Sequence, residues 1–325
     1  SLIMSSTCRS CGEPKILLPN SRRRFLTPSS RNGGGHRAAL MSLFLVTTAL
    51  MASTPVHAQL ESRWFPDVEP FGRLIATPRE VQVRASFVHA ERPGVGGYAG
   101  RNIEAEVAIG HRLGLVRLDG GSSPDRAVTL GIEMGIFSRF FMEAVQRDLI
   151  NSDFRIGLPL SIRGGAWESR ITLRHVSSHI GDDYSVRFFP QFFASVVGRQ
   201  FTQVSKDGFE GLLARRIGES VRFYAGGDYN FHTNELMSRG ALRFGGEWVP
   251  VPPGEDNGQW PFLAADFEYG TFSEEVGTTL VGGMGLRVNG QSFRLEARAR
   301  FGSTPLGHFR EADETFWGLG FALDL

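Results

Sequence analysis

The sequence predicts an all-β protein, an antiparallel transmembrane β-barrel of about 12 strands of the outer-membrane type. Three observations carry this. From Val81 to the last residue, segments of roughly ten residues alternate apolar and polar side chains with a period of two, as tilted membrane-spanning strands do. Between 291 and 301, Phe293, Leu295, Ala297, Ala299 and Phe301 share one face, while Arg294, Glu296, Arg298 and Arg300 share the other. A charged inner face suits a wet lumen, whereas a soluble sandwich buries an apolar one. The connections also alternate, with short turns at Gly164-Gly165, 217–220 and Asn289-Gly290 and long loops at 138–153, 178–202 and 302–314. Short periplasmic turns and longer outer loops are expected of such barrels, although 113–126 and 250–260 are long for turns.

Taken in order, residues 1–58 read as a leader that ends in a secretory signal peptide. The apolar run RAALMSLFLVTTALMASTPVHA follows His36 and closes on the small-residue signature Val56-His57-Ala58, so cleavage is expected before Gln59. It is too short, and too soon interrupted by Pro55, for a comfortable spanning helix. SRRRFL at 21–26 resembles a twin-arginine export motif but stands well apart from that apolar run. Both cysteines, Cys8 and Cys11, lie in the leader, so the exported chain has neither a disulfide framework nor thiol chemistry. Beyond the leader 28 basic residues face 33 acidic ones, a net charge of about −5. With no basic stripe, nucleic-acid binding is excluded.

Residues 59–79, with Trp64, Phe65, Phe71 and three prolines, show no sustained period and read as an irregular periplasmic lead-in to a barrel spanning 80–325. The first strand begins at Val81, where Val83, Ala85 and Phe87 alternate with Arg84 and Ser86. The second carries Ile103, Ala105, Val107 and Ile109, and the third Val128, Leu130, Ile132, Met134 and Ile136. Further strands are expected at 154–163, 167–177, 203–216, 220–230, 239–249, 261–271, 278–289, 291–301 and 315–325. Pro159 demands a bulge or a missing ladder bond in the fourth strand, and the start of the sixth, somewhere after Pro190, is ill-defined. The closing alternation Trp317, Leu319, Phe321, Leu323, Leu325 reads as a signal to the barrel-assembly machinery, with leucine where a terminal aromatic is usual.

The stretch ITLRHVSSHIGDDY, 171–184, departs from this plan. Ile171, Leu173, His175, Ser177 and His179 share the apolar, lipid-facing side. A histidine and a serine there cost free energy and imply a role, unless they lie at the interfacial rim where polar groups are tolerated. A base two residues from a hydroxyl is how serine becomes a nucleophile. Asp207 has the parity of Phe209 and Leu213, so it faces outward on the next strand and is the candidate to orient the imidazole. The backbone from Ser178 to Gly181 is the candidate oxyanion donor. Asp182 and Asp183 are candidate oxygen ligands for calcium, or a solvated pair. Gly282, Gly283 and Gly285 lack the strand-to-helix context of a nucleotide loop and read as small residues along a barrel wall.

DLINSDFRIGLPLSIR, LRHVSSHIGDDY, FYAGGDYNFH and FWGLGFALDL resemble the bacterial family catalogued as domain of unknown function 1207. The likeness runs from about Phe71 onward, and H-x-S-S-H-x-G-D is its most specific part. It implies an exported outer-membrane protein and brings no activity. The H-x-S spacing is also similar to that of outer-membrane phospholipase A and lipid A deacylase. It matches at His175 and Ser177 only, with Ser178 where an asparagine usually follows. Two functions are therefore carried forward. One is hydrolysis of acyl esters of outer-membrane lipids, phospholipid or lipid A, with His175 as base, Ser177 as nucleophile and Asp207 orienting. The other is a non-enzymatic barrel: a pore, export conduit or structural protein.

Overall fold

The structure, a computed structural model, describes residues 60–66, 69–92, 101–120, 126–188, 204–233, 239–250, 258–309 and 312–324. The expected signal peptide, its expected cleavage site and both cysteines lie outside them.

Twelve strands form the wall. They are β2 (Val83–Glu91), β3 (Arg101–Gly120), β4 (Arg126–Phe141), β5 (Leu149–Gly164), β6 (Trp167–Ile180), β7 (Val204–Ile217), β8 (Val221–Thr233), β9 (Gly240–Trp248), β10 (Gly258–Gly270), β11 (Val276–Val288), β12 (Gln291–Ser303) and β13 (Asp313–Asp324). Each pairs antiparallel with its sequence neighbours, and β13 returns to β2 with Leu319 opposite Phe87 and Phe321 opposite Ala85, which closes the ring. A short β1 (Leu60–Trp64) runs along β3 from Val116 to Gly120, where β2 has ended. No helix among the described residues is long and apolar enough to cross a membrane. The wall strands pair with one another around a closed ring, which is how a β-protein crosses lipid.

The outer face is apolar, and Phe87, Met134, Leu263, Trp317 and Leu319 are each more than half exposed. Pro159 has the effect its missing N–H dictates. The β4–β5 register is the same on either side, Leu130 opposite Leu160 and Glu133 opposite Gly157, but the ladder is interrupted between them and leaves Leu158 and Pro159 without partners in β4.

The inner face is charged as expected, and its charged side chains are buried. Arg84, Arg139, Arg170 and Arg300 are among the largest fully buried side chains. Most of the buried arginines meet carboxylates: Arg155 lies 2.6 Å from Glu133 and 3.1 Å from Glu210, and Arg139 lies 2.9 Å from Glu104 and 3.0 Å from Glu314, whereas Arg300 donates to Ser303 O at 2.9 Å and to Thr279 Oγ1 at 2.8 Å. Buried guanidinium groups persist only when paired in this way.

The lead-in enters the lumen: residues 69–80 form neither helix nor strand, as an ordered but irregular segment, and they lie inside the barrel rather than below it in the periplasm. After β1 the chain turns into the barrel, where Phe71 and Leu74 pack on Leu212, Ala214 and Tyr224, and Ile75 and Ala76 pack on Phe262, Ala264 and Val281. The Ile75 amide donates to Glu247 Oε1 at 2.6 Å, and Thr77 Oγ1 donates to Asp266 Oδ2 at 2.9 Å. Glu80 accepts from Arg112 at 3.2 Å and from Arg170 at 2.9 Å on each oxygen. Glycines on the inner wall make room: a Cβ on Gly114 would meet Pro66 Cγ at 2.6 Å, and one on Gly110 would meet Val81 Cγ1 at 2.8 Å. The apolar side chains of this segment are buried and its carboxylate has two cationic partners waiting, so it is held inside.

Two outcomes follow. Glu80→Gln should lower the unfolding free energy by about 3 kcal/mol, because it strips a shared partner from two buried arginines; urea midpoints read from heat-modifiable gel migration check this. Wild-type protein in planar bilayers should give no large open-channel steps, and stable ion-selective openings would contradict a filled lumen.

Candidate active site

Strand β6 sorts its residues by what lies on either side. Thr172 and Ser178 are fully buried in the lumen, while Leu173 and His175 are exposed on the outer wall and Ser177 is half-buried there. In the register His175 stands opposite Asp207 of β7 and Ile156 of β5; Ser177 stands opposite Ser205 and Phe154. Asp207 faces outward beside Phe209, as its parity requires.

His175 Nδ1 lies 2.7 Å from Asp207 Oδ1, with the two side chains 46% and 37% exposed. A carboxylate accepts only, so Nδ1 carries the proton and donates it, which leaves the Nε2 lone pair free to act as a base. Around this pair the wall is apolar, with Phe154, Ile156, Leu158, Leu173 and Phe209 exposed to lipid. Ser177 follows on the same face, at the outer end of the strand.

The strand is fastened from behind. Ser178 Oγ donates to Asp153 Oδ1 and, at 3.1 Å, to Asn151 Oδ1. Asp153 also pairs with Arg79 of the lumen segment and accepts from the Gly307 amide at 3.4 Å. Gly307 opens a short 3-10 turn, η1 (Gly307–Phe309), in the loop between β12 and β13.

Two further candidates have partners or places in the fold of their own. The Gly181 N–H, one candidate oxyanion donor, is already used, donating to Ile150 O at 3.2 Å. Asp182 and Asp183 begin a seven-residue helix, α1 (Asp182–Phe188), and both are exposed. Carboxylates in a first turn are stabilised by the helix dipole. Among the described residues no group of three or more His, Cys, Asp or Glu is placed to hold a metal.

One residue that sequence reasoning missed stands beside the pair. Between β7 and β8 the register shifts, with Asp207 opposite His232 but Gly208 opposite Asn230, so Phe231 is an extra residue in β8. The bulge leaves both Phe231 and His232 exposed. Strict alternation would have sent His232 inward with Asn230, and no sequence signal marks the bulge.

No curated protein matches the sequence. The pattern of the family described as protein of unknown function (DUF1207) matches residues 44–250. Among solved structures the chain is similar to outer membrane phospholipase A from Escherichia coli, at 14% identity and a TM-score of 0.52 over 75% of this chain and 90% of that one. It is equally similar to the Salmonella typhi outer membrane phospholipase dimer with bound calcium, at 14% identity and a TM-score of 0.52 over 80% and 94% of the two chains. At this identity the likeness is one of fold. With the closed ring of twelve strands, it places the protein in the bacterial outer membrane.

The loop behind the site should respond to pH. Burial pushes the His308 imidazole from the ordinary 6.5 down to about 4, with His179 and Lys206 adding to the fall and Asp153 opposing it. Folding therefore favours the neutral ring. The stability this contributes is complete above pH 6.5 and is lost as pH falls from there to about 4. Urea midpoints measured across that range should fall with pH, and His308→Gln should flatten the fall.

Proposed function

The chain belongs to the family described as protein of unknown function (DUF1207), and we propose that it is a serine-type hydrolase that cleaves acyl esters of outer-membrane lipids, phospholipid or lipid A, at the outside of its barrel wall. The observation that carries this reading is the 2.7 Å hydrogen bond between His175 and Asp207 on the lipid-facing side, with Ser177 on the same face. A polar pair in an apolar wall is unfavourable unless it has work to do.

The chemistry follows from the placement. Ser177 Oγ attacks the ester carbonyl as His175 Nε2 takes its proton. Asp207 holds the imidazole in the required tautomer and stabilises the imidazolium. The imidazolium returns the proton to the departing alkoxide, leaving an acyl-serine. Water, activated by the same Nε2, then releases the fatty acid and restores the serine. The outer end of β6 suits this, since ester groups and water meet at the membrane interface.

Purified, folded protein is incubated with phospholipid and with lipid A, with calcium and with a chelator, and released fatty acid is followed. Ser177→Ala and His175→Ala should each reduce turnover by about 10³-fold or more, with little further loss in the double variant, because the residues act as a unit. Asp207→Asn should lower kcat by about 10²- to 10⁴-fold by disturbing the tautomer. If wild type releases no more than Ser177→Ala on any lipid, the barrel is structural. Activity that vanishes with the chelator would return calcium to the site.

A further inference from the structure

The bulge at Phe231 changes what Asp207 has for neighbours. On one side is His175 of β6; on the other, in register, is His232 of β8. Bulges re-aim side chains and gather beside functional sites. This one turns an imidazole out of the lumen and onto the wall, at the level of the His175–Asp207 pair. Strands lie about 4.8 Å apart, so the row from His175 to His232 spans about 10 Å of wall beside Ser177.

Charge is scarce on this patch. Lys206, Arg174 and Arg170 of β6 and β7 point inward, and Arg215 belongs to the opposite, periplasmic end beside Trp167. At the outer ends of β6, β7 and β8 the described residues that face outward and can carry positive charge are His175, His179 and His232. His175 is committed to Asp207, and His179 packs edge-on against Phe154 at 5.6 Å. His232 is exposed on the same surface. A lipid whose ester lies at Ser177 carries its phosphate a glycerol backbone's length away along this surface.

We propose that His232 is a specificity-determining residue that receives the anionic phosphate of the lipid whose ester lies at Ser177. The proposal rests on the hydrolase reading and narrows its substrates to phosphate-bearing lipids. The imidazole donates an N–H to a phosphate oxygen.

The test compares phosphatidylglycerol with diacylglycerol of the same acyl chains in mixed micelles. In His232→Gln the ratio of kcat/KM for the phospholipid over the diacylglycerol should fall about tenfold, equivalent to about 1.4 kcal/mol. The change should appear in KM, and His232→Arg should restore the ratio. An unchanged ratio in His232→Gln overturns the proposal. A second arm is independent of turnover: quenching of intrinsic tryptophan fluorescence by brominated phosphatidylglycerol, measured in the Ser177→Ala background. Weaker binding of that lipid with His232→Gln, and not of brominated diacylglycerol, supports the phosphate contact; equal binding refutes it. If wild type hydrolyses neither lipid, the hydrolase reading fails while this arm still decides the role of His232.

Discussion

Every charge inside this barrel has to be neutralised where it stands. The outer face is apolar because lipid requires it, so the polar half of each strand's alternation is forced into the lumen, where Arg139, Arg155 and Arg170 are fully or almost fully buried. A guanidinium that loses its water must find acceptors, and the carboxylates of the wall strands supply most of them. Glu80 comes instead from the lead-in and meets Arg112 and Arg170 together. The loop that fills the barrel and the strands that form it thus complete one another electrostatically.

A filled lumen makes the wall stiff, and stiffness serves the outer surface. His175 and Asp207 are held by neighbouring strands rather than by loops, and functional groups on regular elements are positioned more closely than groups on loops. Behind them Ser178, Asp153 and Arg79 tie the outer end of β6 to the lumen segment, so the serine's own backbone is braced from inside. The two faces of β6 differ in purpose: even-numbered residues lock the strand, and odd-numbered ones meet the membrane.

How far the sequence reveals this follows from what periodicity can encode. The period of two located all twelve wall strands and put His175, Ser177 and Asp207 on one face, because register and parity are set by lipid outside and charge inside. Pro159 announced its own break in the ladder. The lumen segment was illegible: Phe71, Leu74 and Glu80 follow no period, and their partners lie far along the chain. His232 was hidden for a narrower reason, since one inserted residue reverses parity and nothing local about Phe231 distinguishes it from an ordinary strand residue. The inner face was read correctly as charged, but its ion pairs were not legible, because alternation shows where charges point and not whether they meet.

The path of the lumen segment has a consequence for how the molecule comes together. The chain leaves β1 beside Val116–Gly120 of β3 and rejoins the wall at Val83 opposite Leu323, both toward the end that carries the short turns. It goes in and comes out by the same mouth, a re-entrant loop with two stems rather than a terminus drawn through a ring. The seam between β2 and β13 can therefore zip up without any free end having to pass through the closed barrel. No knot is made, and a single cut within the loop leaves each half still attached to the wall.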